Sequence, residues 1–179
     1  MPEAPLEDSG SGLAPAGEGW FVVNVRDAEW WTSKTFGSGC VFENEESEFP
    51  QLGINLSVLA PGEPNCLYHS ESQQEDFLVL SGECKMLVDG EERLLREWDF
   101  FHSPAGTEHV FVGAGEGPCV IVMAGARSKD EQRLYPVAEL AARYAASAEK
   151  ETTDPKQAYE PFERPRRGRP SYWGRLPWA

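Results

Sequence analysis

The strongest constraint on this chain is a series of short β-prone runs, each cut off by a turn signal. Ile54 to Leu59, Asp76 to Leu80, Lys85 to Val88, Phe100 to His102, Val110 to Val112 and Cys119 to Met123 are rich in Val, Leu, Ile and Phe. Between them stand Pro61-Gly62, Ser81-Gly82, Asp89-Gly90, Pro104-Ala105-Gly106 and the stretch Gly113 to Pro118. Asp-Gly supplies the two positive-φ positions of a tight hairpin turn, so Asp89-Gly90 predicts a hairpin between KMLV and EERLL. Closely spaced short strands with no helical period between them predict an antiparallel β-sandwich or barrel. Phe21 to Val25 is read as one more β-prone run.

Helical spacing emerges only after the β-region. Pro136 suits a first helical turn, and Val137, Leu140, Ala141 and Tyr144 recur on one face, predicting an amphipathic helix ending near Ser147. Residues 1–18 hold four acidic and no basic side chains among Pro, Gly and Ser, so residues 1–19 are expected to be disordered. Residues 151–179 reverse the balance, with six basic against four acidic side chains. Tyr159, Phe162, Tyr172, Trp173 and Trp178 make this tail too aromatic for a free linker, and an arm lying on the domain or on a partner subunit is expected. The division is therefore a leader (1–19), a β-domain (20–127), a helix packed on it (128–150) and an arm (151–179).

The net charge of −14 argues against phosphate backbones and anionic lipid as general partners. No run approaches the apolar length of a membrane span. The first residues lack the basic and apolar regions of a secretory signal, so a cytoplasmic protein is expected. Cys40, Cys66, Cys84 and Cys119 are scattered with no CxxC pair and read as small buried side chains.

The chemistry lies with three histidines, His69, His102 and His109, and the acids near them. The stretch from Pro61-Gly62 through His69-Ser70-Glu71 and Glu75 to Gly82-Glu83 resembles the first motif of the cupins. In that motif a His-x-His is followed by a glutamate and then a glycine. Here His69 takes the first position, Glu71 stands where the second histidine usually is, and Glu75 and Gly82 follow at the motif's spacing. Pro104-Ala105-Gly106-Thr107-Glu108-His109 is similar to the second motif, Pro-x-Gly-x-x-His. Trp98 replaces that motif's leading glycine, and Gly113 its terminal asparagine. The resemblance covers about residues 52–125. It implies an all-β, antiparallel double-stranded β-helix, the jelly-roll cupin barrel, here with a C-terminal helix and an extended tail. It also implies one divalent metal ion inside the barrel (Fe, Mn, Zn or Ni), held by His69, Glu75 and His109.

Elementary geometry agrees with a shared site. Residues two apart on a strand face the same way, so His69 and Glu71 point together. Two imidazoles and a carboxylate leave positions open on an ion. Glu71 is open between fourth ligand, acid/base group and rim carboxylate. His102 is expected in a core or supporting role, and Cys66, three residues before His69, to face away. Phe77, Val79, Phe101 and Phe111 are expected to line a modest pocket. The function expected is a small-molecule metalloenzyme, dioxygenase- or isomerase-like, with the ligand in the barrel and a homodimeric assembly. The alternatives are a non-catalytic ligand-binding module and a metal-free enzyme of the sugar epimerase kind. Arg166 to Pro170 contains RGRP, which looks like the core of an AT-hook. The acidic body argues against nucleic acid, and arginines paired with that body are the competing reading.

Overall fold

The structure is a computed structural model that describes residues 1–44 and 47–179. Among the described residues fourteen short strands follow one another. The first five are β1 (Leu6–Asp8), β2 (Leu13–Pro15), β3 (Trp30–Thr32), β4 (Ser38–Val41) and β5 (Leu52–Leu59). β6 (Ser70–Glu71), β7 (Glu75–Ser81), β8 (Glu83–Val88), β9 (Glu91–Arg96) and β10 (Phe100–Ser103) continue the series. β11 (His109–Ala114), β12 (Cys119–Ala126), β13 (Arg133–Leu134) and β14 (Arg166–Arg167) complete it. The pairing within the sheets is antiparallel throughout. A seven-stranded sheet has the order β10-β7-β12-β5-β4-β3-β14, a three-stranded sheet the order β11-β8-β9, and β1-β2 and β13-β6 form two small pairs. The topology is cupin-like, and none of these sheets closes on itself as a complete barrel.

Alternation explains how the two large sheets meet. Leu59 on β5, Phe77 and Val79 on β7, Met86 on β8, Phe111 on β11 and Ile121 on β12 form one buried cluster between the sheets. Their neighbours in sequence turn the other way, so Leu56, Val58 and Val120 join Trp30 and Cys40 in a second cluster on the outer face. The predicted hairpin is present. Val88 pairs with Glu91, and Asp89 and Gly90 take φ of 44° and 79°, the two left-handed positions of its turn.

Three segments differ from the sequence reading. Phe21 to Val25 is no strand, and Val25 stands in a turn; Val23 and Val25 pack on the cluster that holds Trp30, whose indole donates to the Val25 carbonyl. The expected helix after Pro136 is a single turn, α1 (Glu139–Ala142). Ala145 enters the left-handed region at φ 55°, and the amide of Ala146 bonds back to Ala141 O, so the chain reverses with both alanines buried. The acidic leader carries the β1-β2 hairpin. Its backbone, rather than apolar burial, ties it down, through Leu13 N to Asp27 O and Glu29 N to Leu13 O.

The C-terminal arm lies on the domain. After a second short helix, α2 (Pro155–Ala158), Tyr159 and Phe162 pack on Phe36. Further on, Trp173 and Trp178 flank the fully buried Trp30. The RGRP arginines are engaged within the chain. Arg167 lies over Trp31, and Arg169 lies over Trp173 and donates to Arg26 O. Among the described residues no helix is long and apolar enough to cross a membrane.

Candidate metal centre

His69 and His109 come from segments forty residues apart and meet as directly opposed backbone partners. His69 N donates to His109 O at 3.2 Å, and His109 N donates to His69 O at 2.8 Å. Their rings stand 5.3 Å apart, centre to centre. Glu75, at the start of β7, projects from the same strand face as Phe77 and Val79 and brings Oε2 to 3.4 Å from His109 Nε2. Donor atoms of His69, Glu75 and His109 lie within 4.8 Å of one another. Both histidines are buried.

The two imidazoles are oriented by the same device. His69 Nδ1 lies 2.8 Å from Leu67 O, and His109 Nδ1 lies 3.1 Å from Thr107 O. A carbonyl only accepts, so each Nδ1 carries a proton and each Nε2 faces the carboxylates, free to offer its lone pair once the ring is neutral. Tyr135 stacks on His69, and Phe77 and Phe101 stand edge-on to His109, which fixes both ring planes.

Glu71 lies at the margin of this cluster. Its Oε1 is 3.5 Å from His69 Nε2 and accepts from Arg133 Nε at 2.6 Å. Arg133 is delivered by the β13-β6 pairing, which sets it opposite Glu71, and it also pairs with Glu131. Burial alone would raise the Glu71 pKa, but His69 and Arg133 hold it down to about 2. Glu75 feels His69 and Arg133 only at a distance. Burial first, then the negative charge of Glu71, pushes it up to about 7. The imidazoles are split in the same manner. Burial and the charge of His69 lower His109 to about 4. Burial also opposes a charge on His69, yet Cys66, Glu71 and Glu75 outweigh it and raise that pKa well above 6.5.

Three expectations about side chains are not met. His102 is exposed, not buried, and pairs with Asp76 at 2.7 Å on the outer side of the β10-β7 ladder. Parity explains it, since His102 faces away from Phe101, which joins the core. Cys66 does not face away, and its Sγ is 3.7 Å from His69 Nδ1. Residues 66–68 form bends rather than strand, so two-residue alternation does not govern them. Phe77, Val79, Phe101 and Phe111 do point inward, but they pack on one another instead of bounding open space. Arg133 and Tyr135 carry no local motif and were invisible to sequence reasoning; long-range pairing alone brings them to the site.

An antiparallel two-sheet fold with two imidazoles and a carboxylate gathered between the strands is the arrangement of a cupin-type domain with a candidate metal-ligand cluster. Residues 55–125 match the Cupin domain family model, and the chain contains a cupin domain over that span. A sugar phosphate isomerase of the cupin superfamily from Silicibacter pomeroyi is similar in fold, at 23% identity and a TM-score of 0.55, over 63% of this chain and 79% of that one. The polyketide cyclase RemF from Streptomyces resistomycificus superposes with a TM-score of 0.51 at 14% identity, over 59% of this chain and 78% of that one. A structure from Acidithiobacillus ferrooxidans matches at 22% identity and a TM-score of 0.46, over 50% of this chain and 64% of that one. The sequence matches none of the curated proteins compared.

Proposed function

We propose that this protein is a metal-binding cupin that acts on a small molecule, with one divalent ion held by His69, Glu75 and His109. The observation that carries the proposal is the convergence of three donors whose imidazoles both present Nε2. Ion-to-donor distances of about 2.0–2.2 Å require only a small closing movement of such a set. Burial and the charge of Glu71 outweigh the pull of His69 and Arg133 on the Glu75 carboxylate, and a bound divalent ion would relieve it. Bound there, the ion would supply Lewis acidity or, if iron, redox chemistry with dioxygen. The jelly-roll barrel with the ion inside, and an isomerase- or dioxygenase-like reaction, belong to the same proposal.

The chain's own residues have separable tasks. Leu67 O and Thr107 O hold the imidazole protons on Nδ1. Arg133 neutralises Glu71 and orients it toward His69. A carboxyl held at about 2 is a weak base at neutral pH, so Glu71 is better suited to fixing His69 than to moving a proton. Glu75, at about 7, supports a second reading in which the metal-free cluster works as an acid/base group of the epimerase kind.

Elemental analysis of wild-type and His109→Ala protein, purified without added metal or chelator, tests the proposal. A stoichiometric ion in the wild type and its loss in the variant are expected. Equal occupancy in both overturns it. Turnover that survives complete chelation favours the metal-free reading instead.

A further inference from the structure

A cavity of about 560 Å³ lies beside the donor cluster rather than around it. Its wall follows from strand parity. Trp30, Cys40 and Val58 turn into the outer core, and Trp31, Asn55 and Ser57 alternate to the other face and line the cavity. Phe36 and Met123 continue the wall, and the C-terminal arm completes it with Tyr159 and Phe162. The volume falls within the range of small-molecule sites, about 300–1,000 Å³.

Three observations define what such a space accepts. Aromatic rings line it on two sides, from β3 and from the arm, which suits a flat apolar molecule. The Asn55 carboxamide and the Ser57 hydroxyl reach it without a side-chain hydrogen bond to another described residue, so a ligand oxygen or hydroxyl would satisfy them. The charged residues lining it are Glu163 and Arg164, one of each sign, which is no cradle for a phosphate.

The cavity is separated from the donor cluster by Cys66 and Leu67. Cys66 lines it and lies 3.7 Å from His69 Nδ1. The Tyr159 hydroxyl, in the wall, accepts from Leu67 N at 3.0 Å, and the carbonyl of the same Leu67 holds His69 Nδ1 at 2.8 Å. One residue is therefore gripped by the cavity wall on its amide and by the imidazole on its carbonyl.

We propose that this cavity is a binding site for a small molecule, and that its class is an aromatic compound with hydroxyl or carbonyl groups rather than a phosphorylated sugar. The cavity's chemistry does not rest on the metal reading above.

Isothermal titration of the full-length protein with 1-naphthol, and separately with glucose 6-phosphate, tests the ligand class. Saturable one-to-one binding of 1-naphthol is expected, with at least tenfold weaker binding of glucose 6-phosphate. Ser57→Phe, which fills the cavity, is expected to weaken naphthol binding tenfold or more with the circular dichroism melt retained. Trp31→Ala, which removes one aromatic wall, is the second variant should Ser57→Phe fail to fold, and a fivefold loss is expected. No saturable naphthol binding, preference for the sugar phosphate, or unchanged affinity in the folded variants would overturn the proposal. Zinc binding measured on the same preparations separates the two claims. His109→Ala that loses zinc but keeps naphthol supports both, and a wild type that binds naphthol but no zinc sinks only the metal reading.

Discussion

His69 and His109 are bound to each other through their own peptide groups, amide to carbonyl in both directions. Hydrogen-bonded antiparallel partners hold their Cα atoms about 5.5 Å apart. The two Nε2 atoms are thus brought together by backbone geometry before any ligand contributes. The site is organised by a β-bridge, and side-chain packing by Tyr135 and Phe77 then sets the ring planes.

Metal affinity should depend steeply on pH below neutrality. Despite burial, Cys66, Glu71 and Glu75 raise His69 well above its usual 6.5, and burial lifts Glu75 to about 7. Below those values an incoming ion must displace a proton from each donor, so affinity falls as pH falls. The zinc dissociation constant should rise roughly ten- to a hundredfold per pH unit below about 7. Competition titrations against a chromophoric chelator between about pH 5.5 and 8 measure this slope. A flat profile would mean that these groups do not bind the ion.

Arg133→Met should destabilise the protein by about 1–3 kcal/mol at neutral pH by leaving the Glu71 carboxylate without its guanidinium. A carboxyl held at about 2 stabilises the fold above its ordinary pKa of 4.5 and loses that contribution as pH falls from 4.5 toward 2. The gap between variant and wild type should therefore narrow at pH 3. Urea unfolding at the two pH values reads both effects.

Trp98→Gly should stabilise the protein. Trp98 holds φ at 71° with its side chain 71% exposed, so it bears left-handed strain and buries little in return. Relief of about 1–2 kcal/mol exceeds the 0.5–1 kcal/mol that glycine's freedom in the unfolded chain costs. A rise of a few degrees in melting temperature is expected. Trp98→Ala keeps the same backbone conformation and should show no comparable rise.

Gly113→Ala should be severely destabilising, by about 3 kcal/mol or more. An added Cβ would meet the Ala60 carbonyl oxygen at 2.1 Å, and that oxygen belongs to a backbone crossing with little room to move. Gly39→Ala is the matched control, since its Cβ would find its nearest neighbour at an ordinary 3.5 Å. Thermal melts of the pair should differ sharply, and similar melts would show that the crossing relaxes.

Trp98 and Gly113 also show how far a motif can be read. At the first, tryptophan replaces the motif's usual glycine, and the structure holds a positive φ there all the same. At the second, glycine replaces the usual asparagine because another backbone passes over it, which no local pattern discloses. His102 follows alternation within β10, opposite to Phe101, whereas Cys66 departs from it because a bend precedes His69. Alternation holds within strands, and its phase at a strand's end or across a bend is set by the neighbouring segment.

The amino-acid sequence by itself determined the antiparallel β architecture, the Asp89-Gly90 hairpin and the motif positions of His69, Glu75 and His109. These depend on local backbone preference, turn chemistry and spacing, which act over a few residues. Tertiary structure alone decided that Arg133 neutralises Glu71, that Tyr135 covers His69, and that the open cavity lies against β3–β5 under the C-terminal arm. Those relationships join residues thirty to more than a hundred positions apart. Their energies come from burial and pairing that exist only once the sheets have met.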